Sequence, residues 1–333
     1  MSQSIKLILK FAFAIGIIYW LIDSGKLDLK LLTVAFSEPL RLVIGFSIIL
    51  LNLLLVTWRY FIIITAKMET SPPFKEIFKL NWIGIFFNSI LPGSVSGDIV
   101  KVFYLKEIDK TLSNRFLLAS VLIDRFVGLF GLILIMGFFS IINYNELAGI
   151  SKNLKMVTHL NIILFLGVLF SLFSLFFFNT LPHKILNVFK SVPLLKGVIP
   201  KLLDAWDNLC MLRSKMLTVT ALSMVIQTLA VISFWYITHP YAEGNFPFSY
   251  AFSFVPLGFV FIALPIAPSG MGVGHAAFAT LFTYIGINNG ASLFNIYFIL
   301  MLSANLLGVI PYILRGKTVK LDPAELPGEN PRD

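Results

Sequence analysis

The 333-residue chain has little charge, one cysteine and four histidines, and each scarcity removes a class of function. Charged residues make up 13% of the chain, which is roughly half of their usual share in soluble domains. Cys210 has no second cysteine with which to form an internal disulfide. No HExxH, P-loop or GxSxG motif and no cluster of metal-binding residue types is present. We therefore expect no metal, no cofactor and no enzymatic activity, although an intramembrane transferase with Asp98 or Asp124 as its base stays open.

The chain is instead rich in apolar residues, which form 57% of its composition. Several stretches reach the roughly 20 residues that a helix needs to cross the hydrocarbon core of a bilayer. The sequence therefore predicts an all-α polytopic membrane protein. We expect about six full spans, at residues 5–23, 42–65, 116–142, 159–181, 216–238 and 293–314.

Lysine and arginine are distributed unevenly over the loops, and this asymmetry predicts an orientation. Basic residues gather near the N-terminus, at 66–79, at 98–115, at 182–215 and from residue 315 onward. The alternate loops hold few of them, and none occurs from 239 to 314. We expect an integral protein of the cytoplasmic (inner) membrane with both termini in the cytoplasm.

Two Pro/Gly-rich breaks interrupt the apolar sequence, ILPGSVSGD from Ile90 and IAPSGMGVGH from Ile266. Bare backbone polar groups persist in a membrane only where protein or water covers them. The first break lies between basic loops and the second between loops without lysine or arginine. We therefore expect two re-entrant hairpins, 80–97 and 248–286, that enter from opposite sides. Such a pair outlines an inverted repeat around a midplane transport site.

The predicted organisation is a single membrane domain, residues 1–320, followed by a disordered tail, 321–333. Its N-terminal half covers about 1–142 and its C-terminal half about 159–315, with a cytoplasmic connector at 182–215. The connector is basic and amphipathic, so we expect it to lie along the membrane surface. Docking of a partner protein is the alternative.

Ionisable residues deep inside the predicted spans mark the candidate site. Arg59 is far from both ends of its span, and Asp124 and Arg125 lie about two turns into theirs. Adjacent helical residues point about 100° apart, so Asp124 and Arg125 cannot pair only with each other along one face. We expect Asp124 to anchor one arginine while Arg59 or Arg125 binds a lipid phosphate. A purely structural ion pair is the alternative.

A helix should begin after each break and present its N–H groups to an anion. Each of three polar residues near the breaks has two possible roles. Asp98 lines the site or caps its helix, and His275 carries protons or packs through hydrogen bonds. Asn88 faces a ligand or joins helices. The candidate substrate-binding residues are Arg59, Asn88, Pro92, Gly93, Gly97, Asp98, Lys101, Asp124, Arg125, Pro268, Ser269, Gly270, Gly272, Gly274 and His275.

Three motifs resemble the lysylphosphatidylglycerol synthase transmembrane family, whose members are also called flippase-like domain proteins. They are NSILPGSVSGDIVKVFYL, VLIDRFVGLFGLI and LPIAPSGMGVGHAAFATLF. The family pattern has Asn, Pro-Gly, Gly-Asp/Glu and a basic residue, then an acidic–Arg pair, then a Pro-x-Gly-x-Gly turn. The chain departs from it at His275, where glutamate is usual, and at Lys101, where arginine is frequent.

The resemblance covers nearly all of the chain and implies a stand-alone member without the aminoacyl-transferase domain. It implies a flippase that moves an anionic phospholipid or a polyprenyl-phosphate intermediate between leaflets. One alternative is an accessory protein that binds polyprenyl-phosphate lipids in glycolipid or cell-envelope assembly, and a weaker one is the intramembrane transferase. The expected partner is membrane lipid, with glycolipid-assembly enzymes as further candidates. Nucleic acid is not expected, because the basic residues are confined to loops and ends.

Overall fold

A computed structural model describes residues 30–66, 68, 71–90, 96–177, 212–263 and 270–315, and also 19, 23, 183, 184, 199, 203, 207 and 210. Every regular element in these described ranges is helical. Most of the predicted first span, most of the connector and the whole tail lie outside them. So do four predicted site residues, which are Pro92, Gly93, Pro268 and Ser269.

The described helices fall into two halves joined by a long helix. The first half contains α1 (Lys30–Phe36), α2 (Pro39–Thr65), α3 (Phe74–Ile90), α4 (Ser96–Ile108) and α5 (Asn114–Ile142). The connection contains α6 (Tyr144–Ile150) and α7 (Lys152–Phe177). The second half contains α8 (Arg213–Thr238), a 3₁₀ turn (His239–Tyr241), α9 (Phe248–Ala263), α10 (Val273–Thr283), α11 (Gly290–Leu306) and α12 (Val309–Arg315).

In the described part of the chain, five helical segments are long and apolar enough to cross a membrane. They are Pro39–Thr65, Phe116–Ile142, Lys152–Phe177, Arg213–Tyr241 and Gly290–Arg315. These segments coincide with five of the predicted spans and confirm an all-α integral membrane protein. The last one differs from the prediction, because it is divided between α11 and α12. At the division Gly308 packs so closely on α3 that a Cβ would overlap the carbonyl oxygen of Trp82.

Both breaks join the two arms of a helical hairpin. In the first hairpin Gly97 of α4 packs on Gly84 of α3, and in the second Phe278 of α10 packs on Gly258 of α9. The arms have 17 and 13 residues in the first hairpin and 16 and 11 in the second. These arms are shorter than the roughly 20 residues of a full span. Their lengths suit arms that enter and return on one side, and that re-entrance stays a prediction.

The long helices α2 and α8, each of which precedes a hairpin, pack side by side in opposite directions. Gly45 near the start of α2 contacts Ile237 near the end of α8, whereas Arg59 near the end of α2 contacts Ser223 near the start of α8. Each helix is followed by a hairpin and then by a long segment. Antiparallel packing of equivalent helices is what an inverted repeat requires.

Helix α11 holds the two halves together. In the second half, the buried Phe278 ring stacks between Phe234, at 4.8 Å, and Phe294 of α11, at 4.9 Å. Toward the first half, Trp82 Nε1 of α3 donates to the carbonyl oxygen of Ala304 at 3.0 Å. Helix α11 therefore contacts both hairpins.

Candidate functional site

Five charged side chains from three helices form a cluster beside the first break, which we call the charged cluster. They are Arg59 of α2, Asp98 and Lys101 of α4, and Asp124 and Arg125 of α5. All five were predicted as site residues. The structure brings them together as two separate ion-pair groups.

The first group joins α2, α5 and α8 through Arg59. Its Nε donates to Asp124 Oδ1 at 2.8 Å, and its Nη1 donates to Ser223 Oγ at 2.8 Å. Gly128 faces the guanidinium group, where a Cβ would lie 3.2 Å from either terminal nitrogen. The Arg59 side chain is only 5% exposed. Asp124 therefore anchors Arg59 in a structural pair, and Arg125 is the arginine that lies toward the exposed side.

The second group, which we call the Asp98 triad, consists of Asp98, Lys101 and Arg125. Arg125 Nε donates to Asp98 Oδ2 at 2.8 Å, and its Nη2 also contacts that oxygen. Lys101 Nζ lies 3.4 Å from Asp98 Oδ1, which is a looser contact. Asp98 and Lys101 are buried, whereas the Arg125 side chain is 38% exposed. One carboxylate thus holds two cations, and its described contacts are with side chains instead of a helix cap.

Asn88 links the two arms of the first hairpin through hydrogen bonds, directly beside the triad. Its Oδ1 accepts a hydrogen bond from Gly97 N–H at 2.8 Å, and its Nδ2 lies 3.4 Å from Asp98 Oδ1. Gly97 has no space for a side chain, because a Cβ would overlap the carbonyl oxygen of Gly84. Gly97 therefore allows close packing of α3 on α4, and Asn88 supports the position of Asp98.

The charged cluster contains three cations and two carboxylates. The Lys101 ammonium group also lies 5.5 Å from the centre of the Tyr60 ring, whose hydroxyl group is 3.3 Å from Ser120 Oγ. Burial of a positive charge is costly unless an anion or aromatic ring compensates it. The formal charge of the cluster is therefore positive.

The second break leads to a neutral, hydrogen-bonded histidine. Gly272 N–H donates to His275 Nδ1 at 3.3 Å, and His275 Nε2 lies 3.2 Å from Asn295 Oδ1. Because an amide oxygen only accepts, this network assigns the proton to Nε2 of a neutral imidazole. Gly270 and Gly272 adopt φ angles of +72° and +78°, a region that favours glycine. The geometry matches the packing alternative for His275, since its described contacts lie on α10 and α11.

The same packing role holds for other amides within the spans. Asn81 Nδ2 donates to Thr57 Oγ1 at 2.8 Å, and Gln227 Nε2 donates to the carbonyl oxygen of Gly128 at 3.2 Å. Both contacts join different helices, as expected for polar groups in membrane bundles. Sequence reasoning missed Ser223, which binds Arg59. A serine within an apolar span was the only available signal, and nothing local connects it to α2.

A comparison with protein families gives a match over almost the whole chain. A family model described as the lysylphosphatidylglycerol synthase TM region matches residues 7–307, which include both breaks and the charged cluster. A search of curated proteins and a search of solved structures each found no match. Since the family match extends over far more than half of the sequence, the chain belongs to the lysylphosphatidylglycerol synthase transmembrane-region family.

Proposed function

We propose that this protein moves an anionic lipid between the leaflets of the cytoplasmic membrane and binds its phosphate at the Asp98 triad. The family match and the five apolar spans support a lipid-related integral membrane protein. The finer proposal is carried by one observation, the excess of one cation over carboxylates in the charged cluster, in which Arg125 is partly exposed.

Within the triad, Arg125 and Lys101 are the cations that suit a phosphate. The Arg125 side chain is 38% exposed, and the planar guanidinium group of arginine matches the geometry of phosphate oxygens. Lys101 is held only at 3.4 Å from Asp98, so a phosphate oxygen can compete for its ammonium group. Arg59 does not suit this role, because two donors of its guanidinium group are already bound in a buried site.

In this mechanism Asp98 acts as an internal competitor for the phosphate. Its carboxylate holds Lys101 and Arg125 in place when no lipid is bound. A bound phosphate shares these cations with Asp98, so binding stays weak enough for release. The head group would pass between the two hairpins while the lipid tails remain in the bilayer, with both termini on the cytoplasmic side.

The test is lipid transfer by the purified protein in liposomes that contain a fluorescent anionic phospholipid. Quenching of the outer leaflet reports how fast the lipid changes sides. Lys101→Gln and Arg125→Gln each remove one charge-assisted contact, so we expect transfer to slow by roughly 10-fold or more. Lys79→Gln is the matched control, because Lys79 lies in the same hairpin and pairs with Glu76 three residues away.

Normal transfer by folded Lys101→Gln and Arg125→Gln variants would refute the proposed site. Mass spectrometry of co-purified lipids separates the alternative functions. A phosphate-bearing lipid that binds to the wild type without changing leaflet indicates an accessory protein. A chemically altered lipid after incubation with a donor indicates a transferase.

A further inference from the structure

A second buried polar group, which we call the Asn161 cluster, lies where α5, α7 and α9 meet. Asn161 Nδ2 donates to Ser140 Oγ at 2.9 Å and to the backbone carbonyl oxygen of Ser253 at 3.1 Å. Each of these three residues is at most 1% exposed. Ser140 lies about 22 Å along α5 from Arg125, so the cluster is separate from the Asp98 triad.

Two oxygen atoms of this cluster have no hydrogen-bond partner among the described residues. They are the side-chain oxygens Asn161 Oδ1 and Ser253 Oγ. Buried polar atoms are nearly always satisfied, because an unsatisfied one destabilises the fold. Both atoms belong to residues that already contact each other, so one small ligand can satisfy the pair.

The atoms of the cluster that could contact a ligand are neutral oxygens. Besides the two unpartnered atoms it offers Ser140 Oγ and the Ser253 carbonyl oxygen. Pro256 lies inside α9 and has no N–H to donate to the carbonyl group of Phe252, beside Ser253. Backbone carbonyl oxygens that lack a helical hydrogen bond coordinate monovalent cations in channels and transporters.

Further polar contacts join the end of α5 and α6 to the start of α9, about one helical turn from Ser140 and Ser253. Glu146 of α6 is exposed and accepts a hydrogen bond from Tyr250 of α9 at 3.2 Å. Asn143, between Glu146 and the cluster, donates to the carbonyl oxygen of Ser249 at 3.3 Å. An exposed carboxylate such as Glu146 attracts cations to this side of the protein.

We propose that the Asn161 cluster binds a dehydrated monovalent cation, with Na⁺ as the ion to test. The cation would join α9, the first arm of the second hairpin, to α5 and α7. Cation binding itself does not depend on lipid transport. Only a coupling of the two would rest on the proposed function.

The test measures thermal unfolding of the purified full chain in sodium chloride and in choline chloride at equal ionic strength. At a Na⁺ concentration about ten times its dissociation constant, mass action stabilises the folded state about 11-fold. A change of this size raises the unfolding midpoint by a few °C in a chain of this length. Binding of radioactive sodium to the same wild-type protein provides a second measurement.

Ser253→Ala removes an unpartnered hydroxyl group and should abolish the Na⁺-specific rise in midpoint. Ser233→Ala is the matched control, because Ser233 is equally buried but bonds to the carbonyl oxygen of Gly45 at 3.3 Å. This control should keep the rise. A wild type without Na⁺-specific stabilisation and without sodium binding would overturn the proposal, even if Ser253→Ala fails to fold. If Ser253→Ala loses the same amount of stability in sodium chloride as in choline chloride, the cluster holds bound water. That result would also overturn the proposal.

Discussion

Replacing Arg59 by methionine should destabilise the protein far more than the same replacement of Arg125. The Arg59 side chain is 5% exposed, and its loss leaves Asp124 and the Ser223 hydroxyl without their donor. Removing one partner of a buried ion pair costs about 3–5 kcal/mol, because the remaining charge stays buried without compensation. Arg125 is 38% exposed and Asp98 keeps Lys101, so Arg125→Met should cost much less.

A double-mutant cycle tests this reasoning. Arg59→Met, Asp124→Asn and the combined variant are purified in the same detergent, and their unfolding midpoints are compared. Asp124→Asn removes the buried negative charge while keeping the shape of the side chain. We expect the combined variant to recover at least about 1.5 kcal/mol relative to the sum of the single losses, since contacting residues couple by up to about 3 kcal/mol. Simple additivity, or an Arg59→Met variant as stable as the wild type, would refute the structural pairing.

The combined variant also separates a supporting arginine from a phosphate-binding one. The Arg59 pair lies beside the Asp98 triad but does not share its carboxylate. A folded Arg59→Met/Asp124→Asn protein should therefore still transfer anionic lipid at nearly the normal rate. Complete loss of transfer in this folded variant would instead assign the phosphate to Arg59.

Three further substitutions probe the breaks. Gly97→Ala should lower the free energy of unfolding by roughly 2 kcal/mol or more, because its methyl group would overlap the backbone of Gly84. Thermal unfolding measures this loss. Gly149→Ala, with open space around the Cβ, is the control and should be neutral. Asp98→Asn should increase the anionic lipid that co-purifies and slow its transfer, because the competitor of the phosphate is removed; unchanged lipid content would contradict this. His275→Ala should lower stability by about 1–3 kcal/mol without changing how the transfer rate depends on pH, whereas a flattened pH dependence would indicate a proton carrier.

The spans could be predicted because the thickness of the bilayer fixes the length of an apolar helix. Their ends could be predicted only within a few residues. Helix α2 begins at Pro39, since proline suits the first turn of a helix, and α5 is preceded by Ser113, whose Oγ accepts from Phe116 N–H at 3.2 Å. The division of the last span at Gly308 could not be predicted, because it depends on the packing of Trp82 from the other half.

The members of the charged cluster could also be predicted, whereas their pairing could not. A charge deep inside a span is costly wherever its partner lies, so Arg59, Asp124 and Arg125 stand out in the sequence alone. The partners depend on how helices cross. Ser223 binds Arg59 although 164 residues separate them in the sequence. Asp98, at the start of α4, binds Arg125 of the neighbouring helix α5.

The two halves share an order of elements but differ in charge at equivalent places. The first hairpin places Asp98 directly after Gly97, and the second places His275 directly after Gly274. Asp98 contacts two cations, whereas His275 is neutral and lies in the stretch 239–314, which has no lysine or arginine. In the proposed mechanism an anion therefore has its strong electrostatic contacts on the first hairpin alone. Release toward the second hairpin needs to break only those contacts, because no equally strong site on that side holds the head group back.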